Sequence, residues 1–159
     1  MTLLPQKINN RRIFYLDIHQ GFDNAITIDL KNRVLFIIAD GIQNPDLSPF
    51  AEWCIDKDVL YVCAAGAACS EADDLFDMAM VIRELEERQL PSWISSTEDI
   101  LMTTWHHDFE EGFWYATSMA TYEEYPIEMV VVANLTKKDY LPLIRELSSR
   151  INKRWLPDE

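Results

Sequence analysis

The sequence predicts an α/β protein, a three-layer sandwich with a mainly parallel sheet of about four or five strands and helices on both faces. Three observations lead there. Arg33 to Ala39, Val59 to Ala65 and Met129 to Ala133 are apolar runs of strand length, the pattern of strands buried on both faces. Helix-period segments stand between and after them, so that strand and helix alternate four times from Arg33 onward. Most of the connections are too long for hairpins, which leaves parallel crossovers.

The 159 residues read as one domain, 1–159, with room for a core that needs no staple. Residues 1–10 hold Pro5 and the turn pair Asn9-Asn10 and are expected as a loosely held arm. Ile13 to Ile18 is a first strand, able to pair antiparallel, with a turn at His19 to Asn24. Ala25 to Leu30 alternates and reads as a short edge strand or extended loop. Arg33 to Ala39 ends at Asp40-Gly41, after which Asn44-Pro45 and Ser48-Pro49 each pair a capping side chain with a proline suited to a first helical turn. That helix turns Phe50, Trp53 and Cys54 inward and stops near Asp58.

After the strand Val59 to Ala65, the small loop Gly66 to Cys69 leads into a long helix. Ser70 and Asp73 have capping spacing, Leu75, Met78, Ile82 and Leu85 form its apolar stripe, and Glu71, Asp74, Asp77, Glu84 and Glu87 its outer face. Pro91 to Thr97 is a connection that exposes Trp93. Ile100 to Thr104 is a strand, and Asp108 with Glu111 three residues on resembles a reciprocal helix cap. Phe109, Phe113, Ala116 and Ala120 then share one helical face. Ile127 to Leu135 carries the last strand, with Asn134 at its carboxyl end. Asp139 caps a final helix that places Pro142 in its first turn and turns Tyr140, Ile144, Leu147 and Ile151 inward.

A formal charge of -13 repels phosphate backbones and anionic lipid, which disfavours nucleic acid and membrane as partners. The same field attracts a basic protein, as inhibitors and immunity proteins of nucleases do. No apolar run reaches membrane-spanning length, and the first residues lack the apolar stretch of a signal peptide, so a cytoplasmic protein is expected. Cys54, Cys63 and Cys69 are odd in number and lack metal-type spacing; Cys54 and Cys63 read as core. Cys69, before a helix start, is the one thiol that backbone N–H groups and a helix dipole could activate, although the acidic surroundings oppose it.

In a parallel sheet the carboxyl ends of the strands gather Asp40-Gly41, Gly66 to Cys69, Trp105-His106-His107 and Asn134. His106 with Asp40 and Glu110 forms a candidate catalytic set, the histidine moving a proton and a carboxylate fixing its tautomer. His107 is an alternative base, and the two adjacent rings should point apart on an extended segment, which argues against a shared metal. No phosphate loop, dinucleotide fingerprint, nucleophile elbow or zinc-protease motif is present, and no cofactor or metal is expected. A candidate binding set consists of Trp105, His107 and Trp114 with Glu71, Asp74 and Asp77 on the acidic helix.

Leu101 to His106, followed by Glu110-Glu111 and Phe113-Trp114-Tyr115, resembles a family of small bacterial proteins of unknown function that share a Thr-Thr-Trp-His strand end, an acidic helix start and a Phe-Trp pair. The likeness extends to Val62-Cys63-Ala64-Ala65-Gly66 and Cys69. His107 departs from it, standing where an acidic residue is more usual. The resemblance implies a bacterial, soluble α/β domain and brings no activity with it. The function expected from the whole sequence is an acidic binding or regulatory protein that docks or neutralises a basic protein, with a hydrolase-like enzyme at the strand ends as the alternative.

Overall fold

The computed structural model describes residues 2–18, 28–40, 47–96 and 98–158. The turn at His19 to Asn24, the start of the Ala25 to Leu30 segment, Gly41 and the Asn44-Pro45 signal lie outside those residues; 28–30 form no strand. The elements are β1 (Thr2–Leu3), β2 (Arg12–Asp17), β3 (Arg33–Ile38), α1 (Ser48–Asp56), β4 (Tyr61–Ala65), α2 (Cys69–Leu85), β5 (Met102–His106), α3 (Phe109–Ser118), β6 (Met129–Asn134) and α4 (Leu141–Asn152). They form an α/β fold around a six-stranded sheet of order β1-β2-β6-β3-β4-β5, one or two strands more than the sequence suggests. Among the described residues no helix is long and apolar enough to cross a membrane.

The additional strand is β1, and it corrects the expected loose arm. Thr2 and Leu3 pair antiparallel with Tyr15 and Phe14, Leu4 N–H donates to the Ile13 carbonyl at 2.9 Å, and Leu4 and Ile8 are buried. Two apolar side chains in the core outweigh the disorder that a terminus favours. β2, the strand able to pair antiparallel, does so with β1 and runs parallel to β6 on its other side. All the other pairings, β6 with β3, β3 with β4 and β4 with β5, are parallel as well.

Side-chain alternation along these strands sorts the core into two clusters. One joins Leu35, Ile37, Val62, Ala64 and Val131 to Phe50 and Cys54 of α1 and Ala72 and Phe76 of α2. The other joins Val34, Phe36, Cys63, Val130 and Val132 to Phe113 and Ala116 of α3 and Ile144 and Leu147 of α4. Phe36 meets Phe109 and Phe113 edge-on at 5.5 and 5.4 Å. Cys54 and Cys63 are buried and unpaired, as expected of core thiols.

The helix caps are partly as read. Asp108 accepts from Glu111 N–H at 2.9 Å, the first half of a capping box. Leu141 N–H donates to Asp139 Oδ1 at 3.0 Å and Pro142 stands in the first turn of α4, but the N-cap position is Tyr140, one residue after Asp139, and its side chain makes no cap. Ser70 and Asp73 do not cap α2: the helix begins at Cys69, two residues too early for Ser70 to be its cap, and its N-cap position is Ala68.

Two further corrections concern which faces are covered. Trp93 is buried, its Nε1 donating to the Val59 carbonyl at 2.9 Å and its ring meeting Tyr122 and Tyr125. In α2 the inward residues are Cys69, Ala72, Asp73, Phe76, Ala79 and Arg83, whereas Met78, Ile82 and Leu85 are exposed and Leu75 is half-buried. Small side chains let α2 lie close on β4 and β5, and the Arg83 guanidinium is compensated by Glu52, Asp56 and the Gln89 carbonyl. The larger apolar stripe is left facing outward.

Candidate functional site

Parallel pairing brings the strand ends into line as the sequence implies. His106 stands opposite Ala65, Ala65 opposite Ile38, Ile38 opposite Asn134, and Asn134 opposite Asp17. Asp40, Gly66, His106 and Asn134 therefore share the carboxyl edge. Two glycines make the edge tight. A Cβ on Gly66, whose φ is +113°, would fall 2.7 Å from the Asp40 amide nitrogen; one on Gly112 would fall 2.7 Å from Ala65 Cβ and 3.1 Å from His106 Cβ. The start of α3 is thus pressed against the ends of β4 and β5.

Within this edge the candidate catalytic residues have separate partners. Asp40 Oδ2 accepts from the Tyr140 hydroxyl at 3.0 Å, and burial together with this carboxylate pushes the tyrosine up to about 12. Glu110 forms a two-pronged pair with Arg150 at 3.1 and 3.2 Å. The His106 ring lies 3.2 Å from Thr104 Oγ1 through Nε2 and 3.6 Å from Glu111 Oε1 through Nδ1, with the Tyr115 ring 4.9 Å away. No contact among the described residues joins any two of His106, Asp40 and Glu110. Asn134 is committed to the loop that follows it: its Nδ2 donates to the Tyr15 hydroxyl and the Lys138 carbonyl, and its Oδ1 accepts from Thr136.

The adjacent histidines do point apart. His106 faces α3, and His107 turns to the α2 side, where its Nδ1 lies 3.6 Å from Cys69 Sγ and its ring 5.3 Å from Trp105. Cys69 and His107 stand far apart in the sequence with nothing local to join them, because their contact depends on the register of β4 against β5. Burial raises the Cys69 thiol, and the Ser70, Cys69 and His106 backbone amides oppose that shift only in part, with Asp73 raising it again. The pair can share a proton across the sulfur–nitrogen contact, with the sulfur held as a neutral thiol at neutral pH. Asp73 is itself buried with one oxygen unpartnered among the described residues, and desolvation raises its carboxyl, assisted by Asp77 and Asp74 and opposed by the Thr103 hydroxyl.

The candidate binding residues divide between the two faces. Trp105 and His107 lie on the α2 side of β5, with Glu71, Asp74 and Asp77 exposed on the same helix and Thr103 Oγ1 donating to Asp77 Oδ1 at 3.0 Å. Trp114 is half-buried against the α3–α4 core, away from that surface. The structure adds what the sequence did not indicate, a cavity of about 660 Å³ between α2 and the segment leading into β5. Met80, Val81, Ile94 and Ile100 supply apolar wall, and Asp77, Glu84 and Asp99 supply carboxylates.

Among the described residues, no group of three or more histidine, cysteine, aspartate or glutamate side chains has a metal-binding arrangement. No curated protein matches this chain, and no solved structure does. A family model does, over residues 13–151, spanning everything from β2 to the last turn of α4. The chain belongs to the family described as a domain of unknown function, DUF7684.

Proposed function

We propose that this chain is an acidic binding module, of the inhibitor or immunity-protein kind, that docks a basic extended segment of a partner protein on the face shared by α2 and β5. The observation that carries the reading is the outward apolar stripe of α2 beside β5, an edge that no other strand among the described residues covers. Met78, Leu85, Ile100 and Trp105 are 59%, 79%, 61% and 50% exposed, and Ile100 lines a cavity that also carries Asp77, Glu84 and Asp99. Exposed apolar surface with a charged rim is characteristic of interaction sites, and a net charge of -13 selects a cationic occupant.

The backbone of β5 supports the same reading. Gly66 N–H donates to the His106 carbonyl at 3.0 Å, so His106 and, by alternation, Thr104 and Met102 aim their backbone groups at β4. Thr103 and Trp105 aim theirs outward, where no backbone bond among the described residues meets them. Sheet edges are ordinarily blunted by lysine, proline or a bulge, and Met-Thr-Thr-Trp-His contains neither lysine nor proline. An incoming strand can pair there.

The test uses an eight-residue peptide of alternating lysine and valine, titrated calorimetrically. Changing Asp74, Asp77 and Glu84 to lysine should weaken binding by about tenfold or more, whereas changing Glu128, Glu146 and Asp158, an equal charge change elsewhere, should have little effect. Equal losses in both triple variants, or none in either, would reject the surface.

A hydrolase-like enzyme at the strand ends is the second reading, and the Cys69–His107 contact is the observation that favours it. It requires turnover of an activated ester such as p-nitrophenyl acetate that disappears in Cys69→Ser; turnover that survives the substitution, or none at all, rejects it.

A further inference from the structure

We infer that the opposite, amino edge of the sheet holds a second site, a cavity for a small phosphate-bearing molecule. Arg12 and Arg33 both stand opposite Met129, one on each side of β6. Residues in register share a face, so the two arginines flank Met129 at two strand spacings, roughly 10 Å apart. Lys7 and Lys31 complete a ring of four cations around a cavity of about 660 Å³. The chain has 14 lysines and arginines against 27 acids, and ordinary surface pairing would scatter and neutralise them.

Cations at this edge also serve turn groups, and Arg33 does so, its Nη1 donating to the Asp29 carbonyl at 2.6 Å and its Nη2 lying 4.0 Å from the Asp29 carboxylate. Lys7, Arg12 and Lys31 are different: their side chains have no partner among the described residues. Their mutual repulsion is relieved by an anion placed between them, and the Arg12 guanidinium with two ammonium groups suits the oxygens of a phosphate. Ile127 and Met129 give the cavity an apolar wall for the organic part of such a ligand, and Asn10, Asn32 and Glu128 on the same wall can meet its hydroxyl or amino groups. A long polyanion is excluded, because beyond the screening distance of about 8 Å it would meet the acidic remainder of the surface.

The test is calorimetric titration with ADP, inorganic pyrophosphate, citrate and adenosine, accompanied by backbone amide NMR. Saturable binding of ADP and pyrophosphate is expected, with shifts at Arg12, Lys31 and Met129, and Arg12→Gln or Lys31→Gln should each weaken it by about tenfold. Lys137→Gln, at an exposed lysine remote from the cavity, should leave it unchanged. No saturable binding below millimolar, adenosine binding as tightly as ADP, citrate binding as tightly as pyrophosphate, or equal loss in Lys137→Gln would each overturn the assignment. These variants lie apart from α2 and β5, so the outcome is separable from that of the peptide titration.

Discussion

Thr103 Oγ1 donates to Asp77 Oδ1 over 3.0 Å, tying the outermost strand to the middle of α2 at the point where the helix turns from buried to exposed apolar residues. Met78 follows Asp77 and points to solvent, while Phe76 precedes it and is buried. A partner on this face would therefore touch helix and strand edge together.

The outward stripe can be tested by stability alone. Met78→Ser and Leu85→Ser should each change the unfolding free energy by no more than about 0.5 kcal/mol, as exposed positions do. Phe76→Ala, on the inner stripe, should cost about 3–5 kcal/mol. Urea melts of the three variants decide it; a loss of several kcal/mol at Leu85 would return that stripe to the core.

Gly112 should not tolerate a methyl group. A Cβ there lies 2.7 Å from Ala65 Cβ, and neither a strand alanine nor the helix backbone has a flexible end that could give way. Gly112→Ala should lower stability by about 1–3 kcal/mol, in spite of alanine's better helix propensity. A thermal melt that stays level or rises would show that α3 has room to move.

Asp73 gives the folded state a pH dependence. Its carboxyl holds its proton more tightly folded than unfolded, because burial disfavours the anion. Its contribution is most favourable below the ordinary aspartate value of about 3.9 and is lost as pH climbs through the raised folded value. Asp73→Asn should then raise the melting temperature at pH 7 by more than it does at pH 4. The same change at both would mean that the carboxylate is solvated.

Cys69 should react slowly. The thiol is buried and raised, so iodoacetamide at pH 8 should modify it at least about tenfold more slowly than an unfolded cysteine. Mass spectrometry of the labelled peptide reports this directly, and rapid labelling of folded protein would indicate a thiolate held by His107.

Much of this fold could be read from the sequence because buried parallel strands leave continuous apolar runs, as in Val34 to Ala39 and Met129 to Ala133. Convergence of Asp40, Gly66, His106 and Asn134 on one edge follows from that topology. What escaped has physical causes. In α2, Leu75-Met78-Ile82-Leu85 and Ala72-Phe76-Ala79-Arg83 satisfy the same helical period, and hydropathy favours the first while close packing on the sheet favours the second. Partners of the site residues depend on register: nothing near Asp40 in the chain indicates Tyr140, and nothing near Glu110 indicates Arg150. The cations of the amino edge are scattered over Lys7, Arg12, Lys31 and Arg33, and only strand order gathers them.

The central claim, that a basic extended segment adds to the open edge of β5, is tested most directly by amide hydrogen exchange with and without the alternating lysine–valine peptide. Slowed exchange at the Thr103 and Trp105 amides, with Met102, Thr104 and His106 little changed, is the predicted result. Peptide binding that leaves those two amides as fast as in the free protein would contradict it, as would slow exchange at both before any peptide is added.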